Sequence, residues 1–447
     1  MKNYFRLFSL FSIVVLALGS MSCKKSSTSG GMTTHYITDV ASSNPNFSTL
    51  VVALKKTGLD AALMNNAASF TVFAPTNAAF TALLSQLKLS SVNDIPVSTL
   101  TKVLLYHVKS GEATASQIKT GYYSTLAGGP VKDYNLSMYI DIANKKINGS
   151  ANITQADILA DNGVIHAIDK VLLPMTIADH AVANPTFTSL VAALQKASLV
   201  SALADTTKKF TVFAPTNTAF TALLTSLGAS LSDLSAGTLS PILLYHVLSG
   251  LVPAAKVTAG YFPTLSTAFG KNVDVQVAVG SGVLLNNSSN VIATDVVATN
   301  GIIHVIDKVL LPPTVVDLAT QNSIFSTLVL AVVKADLATT LAGIGPFTVF
   351  APTNDAFTAL FASLNVSGIS ALTKAQLTPI LLAHVVSGNV QSGDLMSGAV
   401  PTLNSAKSLA VVVSNGGVTL NGNINVVLAN VQGSNGVVHV INKVIVP

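Results

Sequence analysis

One eleven-residue segment occurs three times in this chain and restricts its folding more than any other feature. Phe70-Thr71-Val72-Phe73-Ala74-Pro75-Thr76-Asn77-Ala78-Ala79-Phe80 returns as Phe210 to Phe220 and as Phe347 to Phe357. Its first half is a short apolar run closed by Pro75, Pro215 or Pro352, which fits a strand buried on both faces. The proline ends such a strand because it has no N–H to donate. Thr76, Thr216 and Thr353 follow, and then Asn77, Asn217 and Asn354, which read as helix N-caps. Phe80, Leu83, Leu84 and Leu87 then fall at i, i+3, i+4 and i+7, one helical stripe. The same stripe recurs from Phe220 and from Phe357. A strand turning sharply into a helix, three times over, is a folding device and carries no catalytic signature.

Other landmarks share the period. Phe73, Phe213 and Phe350 lie 140 and 137 residues apart, and His107, His246 and His384 lie 139 and 138 apart. His166, His304 and His439 lie 138 and 135 apart. A repeat this long encloses its own core, unlike a solenoid unit. The expected domains are 35–174, 175–312 and 313–447, each ending on a proline. No Gly/Ser-rich linker separates them, so closely abutted domains are expected.

Each repeat opens with an amphipathic helix, on Phe47, Leu50, Val51 and Leu54 in the first. A later helix carries Leu100, Val103, Leu104 and His107 on one face, with Pro241 and Pro379 near the starts of its two later copies. The second half of each repeat alternates as strands do. Asn162-Gly163, Asn300-Gly301 and Asn435-Gly436 signal tight hairpins before the closing strand.

The repeated segment, a Tyr-His pair and a closing G-x-I-H-x-I-D-x-V-L-x-P occur in order, with small departures, in all three repeats. Together they resemble the fasciclin (FAS1) domain family over essentially everything after about residue 35. The resemblance implies an α+β fold, with helices packed on a wedge of mostly antiparallel strands. It also implies adhesion or another matrix contact. In the family's animal matrix proteins the Tyr-His region is linked to integrin-dependent adhesion. Tyr106-His107 and Tyr245-His246 match that region, whereas the third repeat has Ala383-His384. A tyrosine that one repeat does without makes Tyr106 and Tyr245 candidates for surface contact, and the carry-over covers position, not partner. Asp157 and Asp295, six residues before the hairpin glycine, resemble the Asp-Ile of adhesive fasciclin motifs, and Asn430 takes their place in the third repeat. The competing reading gives all of these side chains to internal hydrogen bonds.

Residues 1–22 read as a secretory signal: Lys2 and Arg6, an apolar stretch from Leu7 to Gly19, then small residues. The stretch is shorter than the ~20 residues of a spanning helix. Cys23, the only cysteine, resembles the lipidated cysteine of bacterial lipoproteins, although Ser20 occupies a place where leucine is usual. Ordinary secretion with a leftover thiol is the alternative. Residues 23–34, rich in Ser, Thr and Gly, have the composition of a flexible tether. A lipid-anchored protein of the cell envelope, at the outer membrane or cell surface, is therefore expected.

Chemistry finds little footing. Charged residues make up only 10% of the chain, and the net charge of +5 includes Lys2 and Arg6. No basic cluster exceeds a Lys-Lys pair, which argues against nucleic acid. The histidines sit among Leu, Val and Ile, where a core role is expected, and no HExxH or CxxC provides a metal frame. There is no G-x-S-x-G elbow, Walker loop or GxGxxG. The reading is a non-enzymatic protein without cofactor or metal, whose partners are matrix or neighbouring-cell proteins or polysaccharides. The alternative is an envelope glycan- or solute-binding lipoprotein assisting nutrient capture. Tyr122-Tyr123 and Tyr261-Phe262 offer aromatic platforms for a sugar, which the third repeat replaces with Ala399-Val400.

Overall fold

The computed structural model describes residues 35–64, 67–414 and 417–447, so the signal segment, Cys23 and the tether to residue 34 lie outside the described residues. It contains three α+β domains of one design. In the first, α1 (Ile37–Ser43), α2 (Ser48–Thr57) and α3 (Leu59–Leu63) precede strand β1 (Phe70–Pro75). Helices α4 (Asn77–Leu87) and α5 (Val97–Tyr106) follow. The strands are then β2 (Val108–Ser110), β3 (Gly121–Gly128), β4 (Asn135–Asp141), β5 (Lys146–Ile147), β6 (Ala151–Ala160) and β7 (Gly163–Ile168).

The sheet order is β2-β1-β7-β6-β5-β4-β3, and the other two domains repeat it. In the second, the single pairing Thr264↔Leu248 closes the sheet into a barrel. Only β1 and β7 run parallel, with Phe73 opposite His166.

Strand β1 is buried along its whole length because it separates two cores. Phe70, Val72 and Ala74 face the core under the helices, whereas Phe73 faces a second core with Met138, Ile140 and Ile147. The twofold alternation of a strand explains why both parities are apolar. Gly163, with φ +146°, opens β7 where an added Cβ would lie 1.9 Å from the Phe70 carbonyl oxygen. Only glycine lets the two strands meet there.

Several local readings change in three dimensions. The N-caps are Thr76, Thr216 and Thr353, whose hydroxyls accept from the N–H three residues on. Asn77 is the first helical residue: its Oδ1 accepts from Thr49 N–H (2.9 Å) and its Nδ2 donates to the Pro45 carbonyl (2.8 Å). The repeated asparagine thus ties α4 to the start of α2, as Asn217 and Asn354 do in their domains. The hairpin asparagine is likewise a clip. Asn162 Oδ1 accepts from the Ile37 N–H and its Nδ2 donates to the Leu63 carbonyl, tying both ends of the α1–α3 layer to the sheet. Pro241 and Pro379 lie inside their helices, Ala236–Tyr245 and Lys374–Leu382, not at the starts.

Candidate functional site

The repeated polar residues turn inward. His107 follows the last residue of α5 and is buried: Nδ1 donates to the Val103 carbonyl (2.7 Å) and Nε2 accepts from Leu172 N–H (2.8 Å). His246 and His384 repeat this with Ile242 and Leu310, and with Ile380 and Ile445. Burial pulls all three from the usual 6.5 down to about 4, so they are neutral and fully bonded at pH 7. His166, His304 and His439 use the opposite tautomer. Their Nε2 faces the carbonyls of Ala113, Val252 and Val390, while Nδ1 accepts from the N–H of Asp157, Asp295 and Asn430. Each histidine stitches two segments distant in sequence. Among the described residues, no group of three or more His, Cys, Asp or Glu side chains could hold a metal ion.

Tyr106 and Tyr245 are fully buried, which corrects the expectation that they, with His107 and His246, make surface contacts. Their hydroxyls donate to the carbonyls of Ser137 and Asp274, and burial raises both phenols well above 10. An aromatic ring of this size in a core, with its hydroxyl partnered, is a packing element.

Asp157 is exposed and Asp295 half-buried, and both are held in the left-handed region at φ 58°, with Asn430 at 65°. A short polar side chain tolerates that conformation. Asp157 Oδ1 accepts from the Ala115 N–H, as Asp295 does from Ala254 and Asn430 from Ser392. These residues sit where register shifts twice interrupt the pairing of β6 with β7 and its counterparts. In the irregular stretch just ahead of them the exposed residues are Thr154, Gln155 and Ala156, then Ile292, Ala293 and Thr294, and in the third domain Val427 and Leu428. Ile292 is 57% exposed and Val427 59%.

The domain junctions were not legible in the sequence. Tyr122, on β3, accepts a hydrogen bond at its hydroxyl from Asn184 Nδ2 of the second domain (3.1 Å) and packs edge-on to His180. Ser137 Oγ, on β4, accepts from Val297 N–H (3.0 Å). The second junction repeats the plan, with Tyr261 bonded by Asn322 (3.0 Å) and Asp274 Oδ2 accepting from Gln432 N–H (2.8 Å). Tyr122 and Tyr261 are therefore mortar between domains, not sugar platforms. In the third repeat Ala399 takes the place of these tyrosines. A cleft of about 680 Å³ opens at the first junction, bordered by Gln86, Asn148, Lys170 and Asp179.

The family model described as "Fasciclin domain" matches residues 45–174, 185–312 and 323–447. The chain belongs to the fasciclin domain family. It is 30% identical to human periostin over 392 residues, which is 85% of this chain and 44% of periostin. It is 31% identical over 421 residues to the pig transforming growth factor-beta-induced protein ig-h3, covering 93% of this chain and 58% of that protein. The chain thus spans about half the length of these two relatives. A FAS1 domain pair from the insect cell adhesion molecule fasciclin I aligns at 20% identity and a TM-score of 0.38, over 59% of this chain and 97% of that one. Within these fasciclin domains the repeated motifs hold the interior together.

Proposed function

We propose that this protein is a cell-envelope adhesion protein, lipid-anchored through Cys23, that binds proteins or polysaccharides of a matrix or neighbouring cell through its three fasciclin domains. The observation that carries the reading is the exposed stretch of strand ahead of each left-handed Asp or Asn. Thr154-Gln155, Ile292-Ala293 and Val427-Leu428 occupy equivalent places and differ in chemistry. Three weak contacts on one coupled chain gain avidity of about 10²-fold or more when geometry lets them engage together. Membership of the fasciclin domain family supports the same reading.

The test compares a deletion strain with strains carrying Ile292→Lys together with Val427→Lys. Both should lose attachment and cell–cell aggregation while the variant protein stays folded and displayed. Parental attachment in both would refute the reading. Cys23→Ser should release the protein from the membrane fraction.

A second reading, capture of a glycan or other solute, is favoured by the cleft between the first two domains, where Gln86, Asn148, Lys170 and Asp179 stand among apolar side chains. Saturable binding on a glycan array, lost with Lys170→Ala and Gln86→Ala, would select it over adhesion.

A further inference from the structure

The three domains contain the same small gap beneath their first helices, and in the third it has become a chamber. In the first domain the gap is about 20 Å³ and lined by Ile37, Leu54 and Ile165, among others. In the second it is again about 20 Å³, with Ile177, Leu194 and Ile303 at the same places. The third domain has Val315, Val332 and Val438 there, and the volume is about 180 Å³. Three walls have each lost a methylene.

The chamber also opens outward. Leu54 and Leu194 are 5% exposed, whereas Val332 is half-buried. Val349, on the strand Phe347–Pro352, is half-buried too, although its counterparts Val72 and Val212 are buried. At the rim, Val333 is 62% exposed where the first two domains carry Lys55 and Gln195. An exposed valine replacing two polar side chains makes the entrance as apolar as the interior.

Inside, no hydrogen-bonding group is free. His384 donates from Nδ1 to the Ile380 carbonyl and accepts at Nε2 from Ile445 N–H. The Thr320 hydroxyl donates to the Asp317 carbonyl. Water would find no partners there, and polar ligands would lose theirs. Apolar cavities of about 150 Å³ stay dry and take up benzene or xenon.

We infer that the third domain carries a binding site for a compact, uncharged hydrocarbon group, of about benzene-to-toluene size, between helices Val315–Thr320 and Ser326–Lys334 and the strand Phe347–Pro352. The site is distinct from the exposed strand stretches and from the junction cleft, and stands whether or not adhesion is the protein's role. The other two domains are built-in controls.

Toluene is the probe, titrated into the full chain with Ile, Leu and Val methyl groups isotopically labelled for NMR. Saturable shifts are expected at Val332 and Val438, and none at Leu54, Leu194, Ile165 or Ile303. Val332→Leu restores the side chain of the other domains and should weaken binding at least tenfold. Val438→Ile makes the same test from the strand side, should the first variant fold poorly. Equal shifts in all three domains, shifts that do not saturate below the solubility limit of toluene, or unchanged affinity in the folded variants would each overturn the inference.

Discussion

Mild acid should destabilise these domains. The groups responsible are His107, His246 and His384, brought from 6.5 to about 4 by burial. The geometry gives the same direction. Nε2 of each ring accepts from a backbone N–H, so a proton added there would point at another proton. The folded state therefore excludes a proton that the unfolded chain takes up near pH 6.5. The sign follows: stability is complete above the unfolded value, falls as pH drops from 6.5 toward 4, and levels off below. One pKa unit corresponds to about 1.4 kcal/mol. At pH 4.5 each domain should have lost roughly 2–3 kcal/mol from this residue alone, set against a usual domain stability of about 5–15 kcal/mol.

The window is clean on the carboxylate side for two of the acids. Hydroxyl hydrogen bonds from Thr207 and Ser230 hold Asp205 and Asp233 below the ordinary 3.8. Urea unfolding at pH 7, 5.5 and 4.5 should be followed by far-UV circular dichroism, because the chain has no tryptophan. Histidine ring resonances in the folded protein supply the site-specific values. Unfolding midpoints that do not move between pH 7 and 4.5, or ring protons titrating near 6.5 in the folded state, would refute the reasoning.

Two further outcomes follow from the junctions and the motif. Burial raises Asp274 to about 6 against the pull of the Gln432 N–H, so its charge is costly at the second junction above that pH. The junction should tighten between pH 7 and 5, and Asp274→Asn should remove that dependence, as read by the distance between spin labels on the second and third domains. Asn77→Ala removes both bonds from α4 to the start of α2 and should destabilise the first domain by about 1–2 kcal/mol, measured by urea unfolding at pH 7.

The sequence by itself determined the number of domains, the strand-to-helix turn and the inward placement of His166, His304, His384 and His439. These are local or periodic properties: apolar spacing at 3.6 or 2 residues and the backbone limits of proline and glycine survive translation along the chain. The N-cap expected at Asn77 falls one residue earlier, at Thr76, because a threonine hydroxyl can also cap and the asparagine side chain is taken up by α2. Tertiary structure decided the rest. Tyr106 and Tyr122 are both tyrosines in apolar surroundings, yet one closes a core and the other joins two domains. Their fates depend on what arrives from residues 137 and 184, separations no local pattern encodes. The chamber of the third domain is the sharpest case, since Val315, Val332 and Val438 are each unremarkable as substitutions. Only packing brings them to one point, where three missing methylenes become a single space.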